Sequence, residues 1–187
     1  MGNQGEGRAA KIVGNGIFAI IILLLSLLAF ILIQGKITNA PPSLAGHRMY
    51  IVLSGSMKPA FDTGSLIMVK PMSPEGIQVG DVVSFRSTGD ENKIVTHRVM
   101  AIEKTEEGFS FNTRGDANDV LDPYPIPGGN IIGKVSVAVP YLGYVMDFAS
   151  TKKGILTLLA IPALMLLISE TGNVYKLLRK ASENEEG

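Results

Sequence analysis

The sequence predicts a mainly β fold, a small all-β domain flanked by two apolar helical segments, one near each end. Three observations lead there. Residues 48–139 break into short runs rich in β-branched and aromatic side chains, separated by turn residues. Residues 12–34 carry no charge at all, and residues 155–168 repeat that pattern near the other end. The bulk composition adds little direction of its own. The 187 residues hold 17 basic and 17 acidic side chains, so nothing points to nucleic acid as a partner. There is no cysteine, which rules out disulfides, thiolate metal sites and a cysteine nucleophile. His47 and His97 are the two histidines, and they lack the spacing of a helical zinc motif. No metal or other cofactor is expected.

Residues 1–11 are small, polar and basic, and they read as a cytoplasmic N-terminus ending in Arg8 and Lys11. The uncharged stretch 12–34 follows. At about 1.5 Å per residue it spans a hydrocarbon core of roughly 30 Å. A soluble helix of this length would show a polar face, and this one does not. A cleavable leader would have a shorter apolar core. An uncleaved transmembrane anchor is therefore expected.

Residues 35–47 are rich in Pro, Gly, Ser and Asn and read as a linker. The β domain is placed at residues 48–147, with strands expected over 48–53, 65–70, 81–86, 94–103, 109–113 and 131–139. Turn residues such as Asp62-Thr63-Gly64 and Pro127-Gly128-Gly129 separate them. Strands at this spacing suit a small barrel or sandwich. A second transmembrane helix is expected over 154–174, and a cytoplasmic, acidic tail over 175–187. Basic residues at Arg8 and Lys11, and again at Lys176, Arg179 and Lys180, suit two cytoplasmic ends with the β domain outside. Lys152 and Lys153 run against that rule.

The chemistry centres on Ile51-Val52-Leu53-Ser54-Gly55-Ser56-Met57-Lys58-Pro59. An apolar strand ends in two serines around a glycine that lets the chain bend, and Pro59 prevents the strand from simply continuing. A hydroxyl at such a strand end reaches substrate while its backbone stays anchored. On its own, Ser-Gly-Ser is better read as a polar turn. In Val95-Thr96-His97-Arg98-Val99 the strand period puts His97 on the face of Val95 and Val99, with Arg98 opposite. Further on, Thr113-Arg114-Gly115-Asp116-Ala117-Asn118-Asp119-Val120-Leu121-Asp122 runs from a strand end into an acidic loop. Serine, imidazole and carboxylate are the parts of an activated nucleophile. The hydroxyl needs a base to take its proton, and the imidazole needs a carboxylate to fix its tautomer.

These residues carry a resemblance. Ser54-Gly55-Ser56-Met57-Lys58-Pro59, Gly64-Ser65-Leu66-Ile67-Met68-Val69, Gly80-Asp81-Val82-Val83, Val95-Thr96-His97-Arg98-Val99 and Gly115-Asp116-Ala117-Asn118 through Asp122 resemble the successive boxes of type I signal peptidases. Val139-Pro140-Tyr141-Leu142-Gly143 is similar to a late stretch of that family, so the likeness covers roughly residues 50–145. Bacterial members of the usual form use a lysine as general base. His97 makes this chain similar to the endoplasmic-reticulum, archaeal and sporulation-type branch.

The resemblance implies that Ser56 is the nucleophile and His97 the general base. For the orienting acid the pattern offers Asp116 and Asp122. Asp122 is favoured, with Asp116 supporting the loop or sharing the role. Ser54 resembles an oxyanion-hole position beside Ser56, and the strand period puts both serines on one face if the chain stays extended through Gly55. The implied activity is removal of signal peptides from exported precursors at the extracytoplasmic face. The implied partners are signal peptides, membrane lipid and the protein translocation machinery. Two other readings stand beside it. One is a non-catalytic membrane-anchored β domain that binds a partner. The other is a Ser-Lys variant of the same fold using Lys70 or Lys93. Met57 suits a lipid-facing surface or the core equally well.

Overall fold

Antiparallel pairing organises the central part of the chain, and the spatial order of the strands departs from their order in sequence. The computed structural model describes residues 3–38, 40–90, 93–106, 108–158, 160–164, 167–168 and 171–172. Its strands are β1 (Ser43–Leu44), β2 (His47–Ile51), β3 (Leu66–Lys70), β4 (Val82–Arg86), β5 (Ile94–Thr105), β6 (Gly108–Arg114), β7 (Ile126–Pro127) and β8 (Ile131–Val139). They form one sheet in the order β1-β2-β3-β8-β4-β5-β6-β7. Register shifts at Met68/Val69, Ser84/Phe85 and Val99/Ala101 break the regular ladders, and such bulges bend and twist a sheet.

The chain divides into two compact units, residues 31–147 and residues 1–30 with 148–187. The sheet belongs to the first. β3 holds four apolar residues in succession because both of its faces are covered. Leu66 packs with Ile31, Met49 and Met146 on one face. Ile67 and Val69 pack with Met57, Phe61 and Ile132 on the other. A third cluster joins Ile77, Val83, Phe85, Val99, Phe111 and Ile126 around β4, β5 and β6.

The segment expected as a linker is more ordered than its composition suggests. Helix α1 (Asn3–Thr38) outruns the expected span at both ends, and β1 pairs with β2 across Ala45 and Gly46. Both turn residues have positive φ, the geometry of a tight two-residue hairpin. Gln34 ties the helix end to this hairpin, its Oε1 accepting from the Ser43 N–H at 3.0 Å and the Ser43 hydroxyl at 3.2 Å.

Helix α2 (Leu142–Ser150) follows β8 through Tyr141, and its first turn crosses the β2–β3 connection at contact distance. The Gly143 N–H donates to the Gly64 carbonyl at 3.0 Å. A Cβ on Gly143 would stand 2.6 Å from that carbonyl oxygen and 2.8 Å from that of Ser65. Both obstacles are backbone, so Gly143→Ala should destabilise the protein by about 1–3 kcal/mol through overpacking. Thermal melting of the variant in detergent checks this; an unchanged midpoint would show that α2 is not held there.

In the other unit the part of α1 up to Phe30 supplies the apolar element. Gly16–Gly35 has a mean hydropathy of 3.2 and is long and apolar enough to cross a bilayer. It is the single helix of that kind among the described residues. The second span expected over 154–174 lies partly outside the described residues, and the tail 175–187 lies wholly outside them.

Candidate active site

The serine loop is closed at its neck. β2 stops at Ile51, two residues short of the expected strand, yet Val52 still pairs beyond it. Its N–H donates to the Ser65 carbonyl at 2.9 Å, and its carbonyl accepts from the Gly64 N–H at 2.8 Å. Beyond Leu53 the chain bends instead of staying extended through Gly55. Turn bonds follow, from the Lys58 N–H to the Gly55 carbonyl and from the Phe61 N–H to the Met57 carbonyl. Met57 is 1% exposed and Phe61 9%, so these two side chains pin the loop to the core. Met57 is a core residue. Ser54 and Ser56 do lie on one side, with their hydroxyls 3.4 Å apart, but the bend brings them there and the strand period does not.

His97 comes from β5, and the face it shares with Val99 is turned inward, as its neighbours require: it is 8% exposed and Val99 is fully buried. The Phe85 ring stands steeply inclined to the imidazole, at 69°, with the ring centroids 6.4 Å apart. Its Nδ1 stands 2.7 Å from Asp122 Oδ2 and its Nε2 3.2 Å from Ser56 Oγ. An ionised carboxylate only accepts, so Nδ1–H donates to it and Nε2 is left to accept from the Ser56 hydroxyl. Three residues separated by 41 and 25 positions in sequence thus form one hydrogen-bonded row. Asp122 is held in turn by Thr113, whose hydroxyl donates to Oδ2 at 2.6 Å and whose carbonyl accepts the Asp122 N–H at 2.8 Å.

Asp116 stands apart from this row. Arg98 grips it with two parallel bonds, Nε to Oδ1 at 2.8 Å and Nη2 to Oδ2 at 2.5 Å, and donates from Nη1 to the Gly80 carbonyl. The Asp116 carboxylate holds the Arg98 guanidinium above its ordinary pKa. The acidic loop is also stitched to the serine loop, because the Ala117 N–H donates to the Ser56 carbonyl at 2.9 Å. Gly115 permits that approach. A Cβ there would stand 2.6 Å from the Ser56 carbonyl oxygen and 3.0 Å from His97 Nε2.

Sequence reasoning did not single out Thr113 or assign a role to Arg98. For Arg98 a signal existed: a charge on the strand face opposite His97 calls for a partner. For Thr113 there was only its position near a strand end.

No family model matches the chain. It is 37% identical over 122 residues to signal peptidase I W of Bacillus subtilis (strain 168), a match spanning 65% of this chain and 63% of that protein. It is 34% identical over 103 residues to the human signal peptidase complex catalytic subunit SEC11C, spanning 51% of this chain and 53% of that one. The chain is a homologue of these two signal peptidases over the matched residues. The matches span less than two thirds of these signal peptidases' own length.

A cleft of about 810 Å³ lies against the serine–histidine row of this signal peptidase homologue, with Tyr50, Val52, Phe61, Ile67 and Val95 among its apolar walls. Two strand edges border it. Val52 turns its backbone groups toward the β3 side, so Ile51 and Leu53 turn theirs away, and the β1 segment covers β2 only as far as Met49, whose N–H donates to the Pro42 carbonyl at 2.8 Å. Opposite, Lys93 and Val99 bond toward the β4 strand, so Ile94 and Thr96 face away from it, and β6 pairs with β5 only from Arg98 onward. Lys93 also lines the cleft, whereas Lys70 is exposed at the end of β3. Among the described residues the Ser56 hydroxyl bonds to His97 and Ser54 and to neither lysine.

Proposed function

We propose that this chain is a membrane-anchored serine endopeptidase that removes signal peptides from exported precursor proteins, with Ser56 as nucleophile, His97 as general base and Asp122 as the orienting acid. The observation that carries the reading is the 3.2 Å contact between Ser56 Oγ and a His97 ring whose other nitrogen is bonded to Asp122. Ser56 Oγ attacks the scissile carbonyl carbon while His97 Nε2 takes its proton, and Asp122 stabilises the imidazolium that results. The carbonyl oxygen becomes an oxyanion, to which the Ser54 hydroxyl and the Ser56 N–H donate on this reading. The imidazolium then protonates the leaving amine. Water, deprotonated by the same ring, releases the acyl-enzyme. The role of Asp116 is to brace the loop through Arg98.

The two bordering strand edges suit an extended peptide that adds as a strand, with the apolar walls taking its small side chains. The α1 helix anchors the domain in the bilayer where the apolar segment of a signal peptide also lies, which raises the effective concentration of the scissile bond without any new contact. The basic flank at Arg8 and Lys11 supports a catalytic domain on the extracytoplasmic face, in contact with membrane lipid. The test is cleavage of a secretory precursor by the detergent-solubilised protein. Wild type is expected to release the signal peptide and Ser56→Ala to leave the precursor intact. Equal cleavage by both, or by neither, would overturn the reading.

A further inference from the structure

Thr113 is 1% exposed and lies one residue from the end of β6. In the β5–β6 ladder it stands opposite Val99, which shares its strand face with His97. His97 and Thr113 are therefore diagonal neighbours on one face, and Asp122 closes the gap between them. Both donate to the same oxygen: Oδ2 accepts from His97 Nδ1 at 2.7 Å and from the Thr113 hydroxyl at 2.6 Å. The Thr113 carbonyl also takes the Asp122 N–H, so one residue fixes both the backbone and the carboxylate of Asp122. Asp122 otherwise sits in an irregular loop between β6 and β7, with exposed Leu121 and Pro123 on either side.

We propose that Thr113 is a positioning residue of this site, a two-point clamp that sets which oxygen of Asp122 faces the imidazole. The inference rests on the reading that Ser56, His97 and Asp122 act as a unit. The hydroxyl takes up one lone-pair direction of Oδ2 and leaves the other aimed at Nδ1, so the carboxylate cannot rotate away without breaking a buried bond. Valine has nearly the same shape as threonine and removes only the donor. The clamp therefore predicts that Thr113→Val lowers kcat by about 10- to 100-fold, the loss of one hydrogen bond to a charged group, with KM unchanged. Thr113→Ser should recover most of that loss.

A second readout does not need turnover. The His97 Nδ1 proton, observed by NMR with nitrogen-labelled histidine in a His47→Gln background, should shift and broaden in Thr113→Val and return in Thr113→Ser. Wild-type kcat together with an unmoved proton in Thr113→Val would overturn the clamp. So would a lowered melting temperature with neither of those changes, or a folded Thr113→Ser that recovers nothing. If the wild-type protein cleaves no precursor, the peptidase reading fails, and the proton resonance alone decides the clamp.

Discussion

Alanine at position 97 should lower turnover by about 10⁶-fold, the scale on which a serine peptidase loses activity with its base. His97 Nε2 is the acceptor for the Ser56 proton, and without it the hydroxyl remains a weak nucleophile at neutral pH. Lysine should not rescue the loss. Its amine must be uncharged to accept a proton, and the Asp122 carboxylate, now 2.7 Å from the imidazole, would favour the ammonium form. His47→Gln should behave as wild type, since among the described residues that ring bonds only to the Ala45 carbonyl in the β1–β2 turn. Turnover of the three variants on one precursor is the measurement. Full activity in His97→Ala would shift the base to a lysine, with Lys93 of the cleft lining first in line.

Asp122→Asn should cost turnover up to about 10⁴-fold while the fold persists, on the precedent of triads whose acid is converted to an amide. The amide can fill the same space beside Thr113 and His97, but it carries no charge to stabilise an imidazolium and can hold the ring in the wrong tautomer. Asp116→Asn should act differently. It breaks the paired bonds from Arg98, in a site where the arginine is about a third exposed, so the cost is about 1–2 kcal/mol of stability. Turnover should fall only as far as the loop shifts. Turnover and melting temperature of both variants in one detergent separate the two. A fully active Asp122→Asn beside an inactive, stably folded Asp116→Asn would mean that their roles are exchanged.

Strand periodicity was a good guide wherever one face met the core. It placed His97 inward with Val99 and located β8 over residues 131–139. It failed where the backbone was governed by something other than burial. The strand period leaves open whether Leu53 to Ser56 stays extended through Gly55, and the segment bends where Met57 and Phe61 anchor the loop to the core. Ala45-Gly46 is a weak hairpin signal beside Asn-Gly, so β1 was hidden inside a linker-like composition. Nothing local could reveal that Arg98 binds Asp116 across 18 positions, or that Thr113 reaches Asp122 across nine. Such pairs depend on the sheet register, and register is a property of the assembled fold.

The place of β8 has a consequence for biosynthesis. The serine loop rises from the β2–β3 side of the sheet, and His97, Thr113 and Asp122 belong to the side built from β4 to β7. β8, the last strand in the chain, is inserted between β3 and β4, and it is the strand that pairs with both sides. A chain emerging from the ribosome carries all of these side chains before residues 131–139 exist to bring them into line. Long-range pairings of this kind are late events, since their loop-closure entropy is met only when both partners are present. On the proposed reading the Ser56 hydroxyl thus stays apart from the His97–Asp122 pair through most of synthesis, and a nascent copy gains its nucleophile–base contact only when its final strand is in place.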